Sequence, residues 1–304
     1  MSERFLVTGA LGCIGAWSCA LLAEEGVYVV GYDLGDDDRR LRLATDAKVP
    51  LEQGDITDRE ALARVLDRHE ITHVIHLAAL LLTMIKRDPP YGTAVNIGGT
   101  VNILDAAKSR GIQVAFASSA AVYSPADGSG GPVPHDAVGH PATFYGVHKQ
   151  ACEALAGIFW EEERVPSIGI RPFVVYGPGR DSGLTASPTL AMAAAAAGES
   201  SQIAFGGRTQ MQFAPDTARA FIAAARAASE GSRTFNLGGP VVALAEVAAS
   251  IERAAPGVSV GVDEATVLPF PEDFDGSALE QAIGPIAWTP LDEGVSATIE
   301  RLRS

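Results

Sequence analysis

Residues 5–15 read FLVTGALGCIG, a short apolar run that leads directly into three regularly spaced glycines. The apolar run predicts a strand, and Gly9, Gly12 and Gly15 follow it with the spacing GxxGxxG. Glycines allow a tight turn and a close approach to a pyrophosphate, while the next helix presents free N–H groups and its positive end. A plain strand–helix turn without a ligand is the alternative. Because the glycines follow a strand and open a helix, the stretch favours a dinucleotide-binding site.

Strands and helices alternate outward from this stretch through the first two thirds of the chain. The predicted strands cover residues 5–8, 27–33, 49–55, 73–79, 112–119 and 165–175. The predicted helices between them cover residues 20–26, 59–70, 101–111 and 145 to about 163. Several strands are apolar on both faces, which is typical of buried parallel strands. The pattern predicts an α/β fold, a Rossmann-type doubly wound parallel sheet with helices on both faces.

The alternation ends near residue 178, and the remaining chain reads as a smaller unit. An alanine-rich helix (185–197), short strands near 202–213 and 233–237, and further helices follow. We expect a dinucleotide-binding domain over residues 1–177. A small C-terminal substrate-binding lobe would cover 178–304, with segments that return to the main domain. The Gly/Pro/Ser-rich stretch 124–136 predicts a mobile loop, because strand and helix resume on either side of it.

The composition excludes several functional classes. With 304 residues, 47% of them hydrophobic and 20% charged, the chain has the balance of a folded globular protein. Its formal charge of −14 repels phosphate backbones, so we expect no nucleic-acid partner. Three scattered cysteines without metal-ligand spacing indicate reduced thiols and no metal site. Since no signal-peptide pattern or bilayer-length apolar run is visible, we expect a cytoplasmic protein with a small-molecule substrate and no membrane partner.

A carboxylate at the end of the second predicted strand indicates which dinucleotide is bound. Asp33 follows Gly15 at a spacing close to that expected for a carboxylate on the adenosine ribose hydroxyls. The acidic run at 36–38 disfavours a 2′-phosphate by its charge, whereas Arg39 and Arg40 would attract one. The balance favours NAD over NADP. Asp55, after the third predicted strand, is placed either to meet the adenine edge or to cap the next helix.

Further motifs occur along the chain in a characteristic order. After the glycines and Asp33 come GDITD (54–58), HLAA (76–79), NIGGTVNIL (96–104), FASSAAVY (116–123), YGVHK (145–149), RPFVVYGP (171–178) and WTPLDEGVSATIE (288–300). Together they resemble the extended short-chain dehydrogenase/reductase family, the group that contains NAD-dependent sugar epimerases and dehydratases. The resemblance covers nearly the whole chain and implies an NAD-dependent enzyme.

The resemblance implies a Ser/Tyr/Lys catalytic set. Tyr145 would be the general acid/base on the substrate oxygen, and Lys149 would hold the nicotinamide ribose. A phenol is a poor base at neutral pH, and a cation one helical turn away favours phenolate. Ser119 would hydrogen-bond the reacting oxygen, with Ser118 beside it. For Asn96 a structural role is as open as a catalytic one.

The resemblance also implies which residues line the two ligands. The cofactor set is Gly9, Leu11, Gly12, Cys13, Ile14, Gly15, Asp33, Leu34, Asp55, Ile56, Leu77, Ala78, Ala79, Asn96, Ala117, Ser118, Tyr145, Lys149 and Pro172. The substrate set is Leu81, Ser119, Ala120, Tyr145, Phe173, Val174, Arg180 and Arg208. Arg180 or Arg208 would pair with a substrate carboxylate, or each is a solvated surface arginine.

Departures from the family pattern narrow the substrate. Where sugar-nucleotide dehydratases have Thr-Asp-Glu, this chain has Ser119 and two alanines, which offer neither the additional acid nor the base that elimination of water needs. Val174 stands where sugar-nucleotide enzymes have an asparagine on the substrate diphosphate. Thr209 stands where they have an arginine, although Arg208 is one position away and could replace it.

These departures favour a dehydrogenase that acts on a small non-nucleotide substrate: a sugar, a sugar acid, a polyol or a similar secondary alcohol. The alternative is an NAD-dependent 4-epimerase of UDP-sugars, which uses the same hydride chemistry. A third reading is a non-catalytic dinucleotide sensor, against which the retained Tyr145 and Lys149 argue. Family members often pair through the helices at 90–109 and 145–163, so we expect a homodimer.

Overall fold

The stretch that opens with FLVT forms an interior strand of a parallel sheet. The computed structural model describes residues 2–128, 131–227 and 230–303. The strands of this sheet are β1 (Arg4–Thr8), β2 (Tyr28–Asp33), β3 (Leu51–Gln53), β4 (His73–His76), β5 (Gln113–Ala117), β6 (Ser167–Arg171) and β10 (Ser232–Asn236). Their order is β10-β6-β5-β4-β1-β2-β3, and each neighbouring pair is parallel. The chain therefore has the Rossmann-type α/β fold that the sequence predicts.

Helices cover both faces of the sheet because the strand side chains alternate between two apolar cores. Phe5 and Val7 of β1 belong to one core, and Leu6 between them belongs to the other. The first core also takes side chains from α1 (Cys13–Glu24), α2 (Arg39–Ala44), α9 (Ala214–Arg226) and α11 (Ser277–Ile283). The second core takes side chains from α3 (Arg59–Arg68), α6 (Gly99–Lys108) and α7 (Phe144–Glu163). Burial on both faces explains why the interior strands are largely apolar.

A second, smaller body packs around its own sheet. It contains the strands β7 (Val174–Tyr176), β9 (Arg208–Phe213) and β11 (Val241–Ala243), in the order β11-β9-β7, and the pair β8 (Ser201–Ile203) and β12 (Val260–Val262). The helices α8 (Ser187–Ala196), α10 (Leu244–Ala254) and α12 (Leu291–Arg303) pack against these strands. We call this body the lobe. Two elements that lie between its strands in the sequence do not belong to the lobe: α9 packs on the main sheet, and β10 is that sheet's edge strand.

The prediction of one continuous strand over residues 165–175 is wrong. The structure divides this segment into β6, which ends at Arg171 in the main sheet, and β7, which begins at Val174 in the lobe. Pro172 lies at the break and has no N–H with which to continue a ladder. The next N–H, that of Phe173, donates instead to Gln212 Oε1 of the lobe at 2.7 Å. This hydrogen bond connects the end of the main sheet to the lobe.

Short helical segments fill the remaining connections. They are α4 (Leu82–Arg87), α5 (Pro89–Thr93), a π-helical turn (Ala94–Gly98) and 3₁₀ turns at Ala120–Val122 and Pro125–Gly128. The predicted loop at 124–136 includes residues 129 and 130, which lie outside the described residues. On its far side, Val133 forms a bridge with Phe274 of the lobe. None of the helices in the described ranges is both long and apolar enough to cross a bilayer.

Candidate active site

The glycine-rich loop has a backbone shape that only glycine permits. Gly9 has a φ of +67°, and a Cβ there would lie 2.8 Å from the backbone nitrogen of Ala78. A Cβ on Gly15 would lie 2.1 Å from the carbonyl oxygen of Gly9. Gly12 caps α1 without a side chain, and the first turn of α1 has no acidic residue. The free N–H groups at this helix start fit a pyrophosphate.

The carboxylate of Asp33 lies beside this loop, at the carboxyl end of β2. Its Oδ2 accepts from the backbone N–H of Leu11 at 2.9 Å, so the strand end and the glycine loop are tied together. Arg40 is held by Asp181, with Nη2 to Oδ1 at 2.7 Å, and it also donates to the carbonyl of Leu11 at 3.0 Å. Arg39 pairs with Asp37 at 3.0 Å. Both arginines that could have bound a 2′-phosphate are thus matched by carboxylates, which fits NAD.

The proposed acid/base pair lies on the first turns of α7. Thr143 caps this helix by accepting from the N–H of Gly146 at 3.1 Å. Lys149 is 5% exposed. Its Nζ donates to the carbonyl of Ala117 at 2.6 Å and lies 5.6 Å from the centre of the Tyr145 ring. The helix therefore presents the phenol and the ammonium together at the carboxyl end of β5.

Ser119 reaches the same corner from the segment that follows β5. Its Oγ accepts from the N–H of Ala121 at 3.1 Å. A Cβ on Gly146 would lie 2.1 Å from the carbonyl oxygen of Ala121, so α7 packs against this segment at a distance that glycine allows. The sequence thus brings Ser119, Tyr145 and Lys149 to one end of the sheet. Ser119 and Tyr145 are half-buried.

Asn96 has a scaffold position in the π-helical turn. It is 1% exposed, and its amide clamps the backbone of Leu80, with Oδ1 accepting from N–H at 2.7 Å and Nδ2 donating to the carbonyl at 3.0 Å. The carbonyl of Asn96 accepts from the hydroxyl of Thr100 at 2.8 Å and from the thiol of Cys152 at 3.2 Å. These contacts fix the segment after β4 against α6 and α7.

A hydrogen-bonded chain of buried, uncharged side chains lies close to Lys149. His76 Nδ1 lies 2.7 Å from Thr8 Oγ1, and its Nε2 lies 3.1 Å from Thr100 Oγ1. Because Thr100 donates its hydrogen to Asn96, it can only accept from His76, and the proton is assigned to Nε2. Burial, with a smaller effect of the Lys149 ammonium, lowers the pKa of His76 to about 3. The imidazole is therefore neutral and adds no charge beneath Lys149.

An ion pair that the sequence analysis missed lies one turn further along α7. The Glu153 carboxylate accepts hydrogen bonds from Nε and Nη2 of Arg171, each at 2.7 Å, and another from the hydroxyl of Ser118. Arg171 Nη1 continues to the phenol oxygen of Tyr123 at 2.5 Å. Two features of the sequence could have indicated this pair. Glu153 is four residues from Lys149 on one helix face, and Arg171 ends a strand whose residues are all buried.

The remaining residues of the predicted cofactor set line the carboxyl edge of the sheet. Leu77, Ala78 and Ala79 follow β4, and Asp55 and Ile56 follow β3. Asp55 Oδ1 accepts from the N–H of Thr57 at 2.9 Å, which shapes the turn there. Ile14, Leu34, Ala117 and Pro172 also lie at this edge. Burial raises the pKa of the Cys13 thiol to about 12, so its role is packing.

Two of the predicted substrate residues line a cleft, and a third lies in the lobe's interior. A cleft of about 470 Å³ is lined by Phe173, Arg208, Phe270 and two carboxylates, among other residues. Phe173 follows Pro172, whose carbonyl accepts from the N–H of Ala120 at 2.9 Å, but Ser119, Tyr145 and Lys149 do not line this cleft. Val174 is fully buried in the lobe's core and does not line the cleft.

Two polar residues of this region have open hydrogen-bonding capacity. Arg180 lies near the glycine loop and Leu81, and its Nη2 donates to Thr185 Oγ1 at 3.2 Å. Its Nε is buried and has no hydrogen-bond partner among the described residues. Thr209 is 1% exposed, and its hydroxyl likewise has no partner in the described ranges. A cluster of His, Cys, Asp and Glu that could hold a metal ion is absent from the part of the chain that the structure describes.

Comparisons with known proteins give matches in both sequence and structure. The sequence model described as the NAD dependent epimerase/dehydratase family matches residues 5–238. A UDP-glucose 4-epimerase of Mycolicibacterium smegmatis is 30% identical over 99% of both chains. A UDP-glucuronate 4-epimerase of Arabidopsis thaliana is 32% identical over 57% of this chain, which spans 40% of that protein's length. The solved holo form of an L-threonine dehydrogenase from Cupriavidus necator is 26% identical and covers 99% of this chain and 100% of its own, with a TM-score of 0.88.

Proposed function

Because the chain belongs to the NAD dependent epimerase/dehydratase family, we propose that it is an NAD-dependent dehydrogenase of small non-nucleotide substrates. It would transfer hydride between NAD and a secondary alcohol carbon of a sugar, a sugar acid, a polyol or a similar compound. The observation that carries this proposal is the assembly of Ser119, Tyr145 and Lys149 at one end of the sheet, while Val174 and Thr209, which stand at the positions of the diphosphate ligands, are both buried.

The geometry supports a defined role for each catalytic residue. NAD, when bound on the glycine loop, supplies the hydride acceptor at its nicotinamide ring. The Tyr145 phenolate accepts the hydroxyl proton while the C–H bond gives up its hydride and the carbon–oxygen double bond forms. Ser119 already accepts from Ala121, so its own hydrogen is free to donate to the reacting oxygen. The Lys149 ammonium stabilises the phenolate by its charge.

A second candidate is a UDP-sugar 4-epimerase, and one observation favours it. Arg208, not Thr209, lines the cleft, and among the described residues its guanidinium has only a long contact of 3.5 Å, to the carbonyl of Val241. A free guanidinium suits a diphosphate. However, Glu272 and Asp273 line the same cleft, and two carboxylates oppose a doubly charged ligand. The relative named as an L-threonine dehydrogenase supports the smaller substrate.

We predict that UDP and UDP-glucose do not bind to the NAD-loaded protein. The physical reason is that a single arginine beside two carboxylates cannot replace the missing diphosphate ligands. Isothermal titration calorimetry measures this directly, with ADP-ribose on the NAD-free protein as the positive control for an intact nucleotide site. Micromolar binding of UDP that is lost in Arg208→Ala would transfer the proposal to the epimerase.

We also propose a homodimer in the cytoplasm. Phe144, Val147 and Ile158 of α7 are large apolar side chains that are about half exposed. The three cysteines are free, and two of them are buried, which suits a reducing compartment.

A further inference from the structure

Two oppositely charged side chains on one face of α7 each bind another partner in this structure. Lys149 and Glu153 are four residues apart and both point inward, Lys149 with 5% and the Glu153 side chain with 13% exposure. An ammonium and a carboxylate at this spacing attract each other. Instead, the Lys149 Nζ donates to the carbonyl of Ala117 at 2.6 Å. Something else must therefore hold the carboxylate.

Arg171 holds it. Its Nε and Nη2 make parallel hydrogen bonds of 2.7 Å to the two oxygens of Glu153, and the hydroxyl of Ser118 donates to the same carboxylate. Arg171 is itself fixed, because Nη1 donates to the phenol oxygen of Tyr123 at 2.5 Å and to the carbonyl of His135 at 2.6 Å. A bidentate pair of this kind is among the strong hydrogen-bonding arrangements of a carboxylate and leaves it little capacity for a second cation.

We propose that Arg171 is a positioning residue that withholds Glu153 from Lys149, so that the ammonium remains available to Tyr145 and the cofactor ribose. This inference rests on the proposed function, since it assumes that the Tyr145 phenolate is the base. Arg171 acts on Lys149 indirectly, by binding the carboxylate of Glu153, and contacts neither substrate nor cofactor.

Four of the titratable groups around the pair are uncharged at neutral pH, whereas Asp127, near Tyr123, is a carboxylate whose pKa falls, against the effect of burial, through hydrogen bonds from Ser124 and His140. Burial lowers the pKa of His76 and of His148, and it raises the pKa of Cys152 and of Tyr123. His76 lies in β4, His148 and Cys152 lie in α7, and Tyr123 lies in the segment after β5. The paired carboxylate raises the pKa of Arg171 against the opposing effect of burial.

The two partners should shift the pH profile in opposite directions. In Glu153→Gln the positive charge of Arg171 is no longer matched, phenolate is favoured, and the acid limb of kcat/KM for alcohol oxidation moves to lower pH. In Arg171→Gln the released carboxylate pairs with Lys149, and the limb moves to higher pH. At a fixed pH on the limb, we expect a change on the order of tenfold in each direction, about one pH unit. The double variant should return to the wild-type limb.

The test measures kcat/KM against pH for both single variants and the double variant. A phenolate difference spectrum, taken against the same variant with Tyr145→Phe, gives a readout that does not depend on turnover. Arg110→Gln is the matched control, because Arg110 forms a similar double contact with Asp67 on the surface and should leave the limb in place. Circular dichroism and the midpoint of thermal unfolding show whether each variant is folded.

Equal or parallel shifts in the two single variants would show that the pair is only structural and would overturn the inference. If Arg171→Gln does not fold, Glu153→Gln decides alone, and an unmoved limb overturns the inference. Failure of the proposed function looks different, since Tyr145→Phe would then keep its turnover in an otherwise wild-type chain. Loss of turnover in Tyr145→Phe together with unmoved limbs refutes the inference alone.

Discussion

Replacement of Tyr145 by Phe should lower kcat by about a thousandfold, within the range of about 10²–10⁴ that general acid–base catalysis contributes. The variant keeps the ring and its position 5.6 Å from Lys149 Nζ but loses the group that takes the substrate proton. Stopped-flow or steady-state assays of NADH formation measure the loss. NAD affinity, measured by calorimetry, should stay unchanged, because the glycine loop and Asp33 are untouched.

The matched control for this variant is Tyr28→Phe. Tyr28 lies at the start of β2, at the opposite end of the strand from Asp33, and its hydroxyl contacts only His69 Nδ1, at 2.8 Å, among the described residues. This variant should keep full turnover. A Tyr145→Phe protein with near-normal kcat would refute the assignment of the base, whatever its substrate.

Replacement of Gly15 by Ala should damage both folding and the binding of NAD. The new Cβ would lie 2.1 Å from the carbonyl oxygen of Gly9 and 2.9 Å from the Cα of Ala10, so the backbone itself must move. Such overpacking costs about 1–3 kcal/mol. If the glycine loop moves to relieve it, the affinity for NAD falls by about ten- to hundredfold. Chemical denaturation and calorimetric titration with NAD measure the two effects.

Gly157→Ala is the control for the same chemical change at a permissive position. Gly157 lies in the interior of α7, and its added Cβ would meet no atom within 4 Å. It should stabilise the protein by about 0.5–1 kcal/mol, because alanine favours the helix, and should leave NAD binding unchanged. A Gly15→Ala protein that binds NAD as tightly as Gly157→Ala would contradict the placement of the pyrophosphate at this loop.

Local pattern was enough to predict the main sheet. The strands β2, β4 and β5 lie inside the predicted ranges, and β1 begins one residue before its range, because their apolar runs are buried on both faces. The break at Pro172 could not be predicted by periodicity, since residues 174–176 are as apolar as 167–170. What separates them is a tertiary contact, the hydrogen bond from Phe173 N–H to Gln212. The partners of Arg40 were equally hidden, because Asp181 lies far from it in the sequence.

The candidate site shows the same division between local and distant information. Tyr145 and Lys149 share a helix face by their spacing alone, and the structure places them together at one sheet edge. By contrast, the sequence could not show that Val174 turns into the lobe's core while Arg208 lines the cleft. That outcome depends on which face of β7 and β9 packs inward. The Glu153–Arg171 pair also joins elements that only the folded sheet brings together.

The most direct test of the central claim follows NADH absorbance while the purified protein meets NAD and a panel of candidate substrates. The panel contains sugars, sugar acids, polyols, secondary alcohols and L-threonine, with UDP-glucose and UDP-galactose assayed in parallel and their products examined for epimerisation. We predict net NADH from at least one small alcohol and none from the UDP-sugars. Interconversion of the UDP-sugars without release of NADH would contradict the account and establish the epimerase in its place.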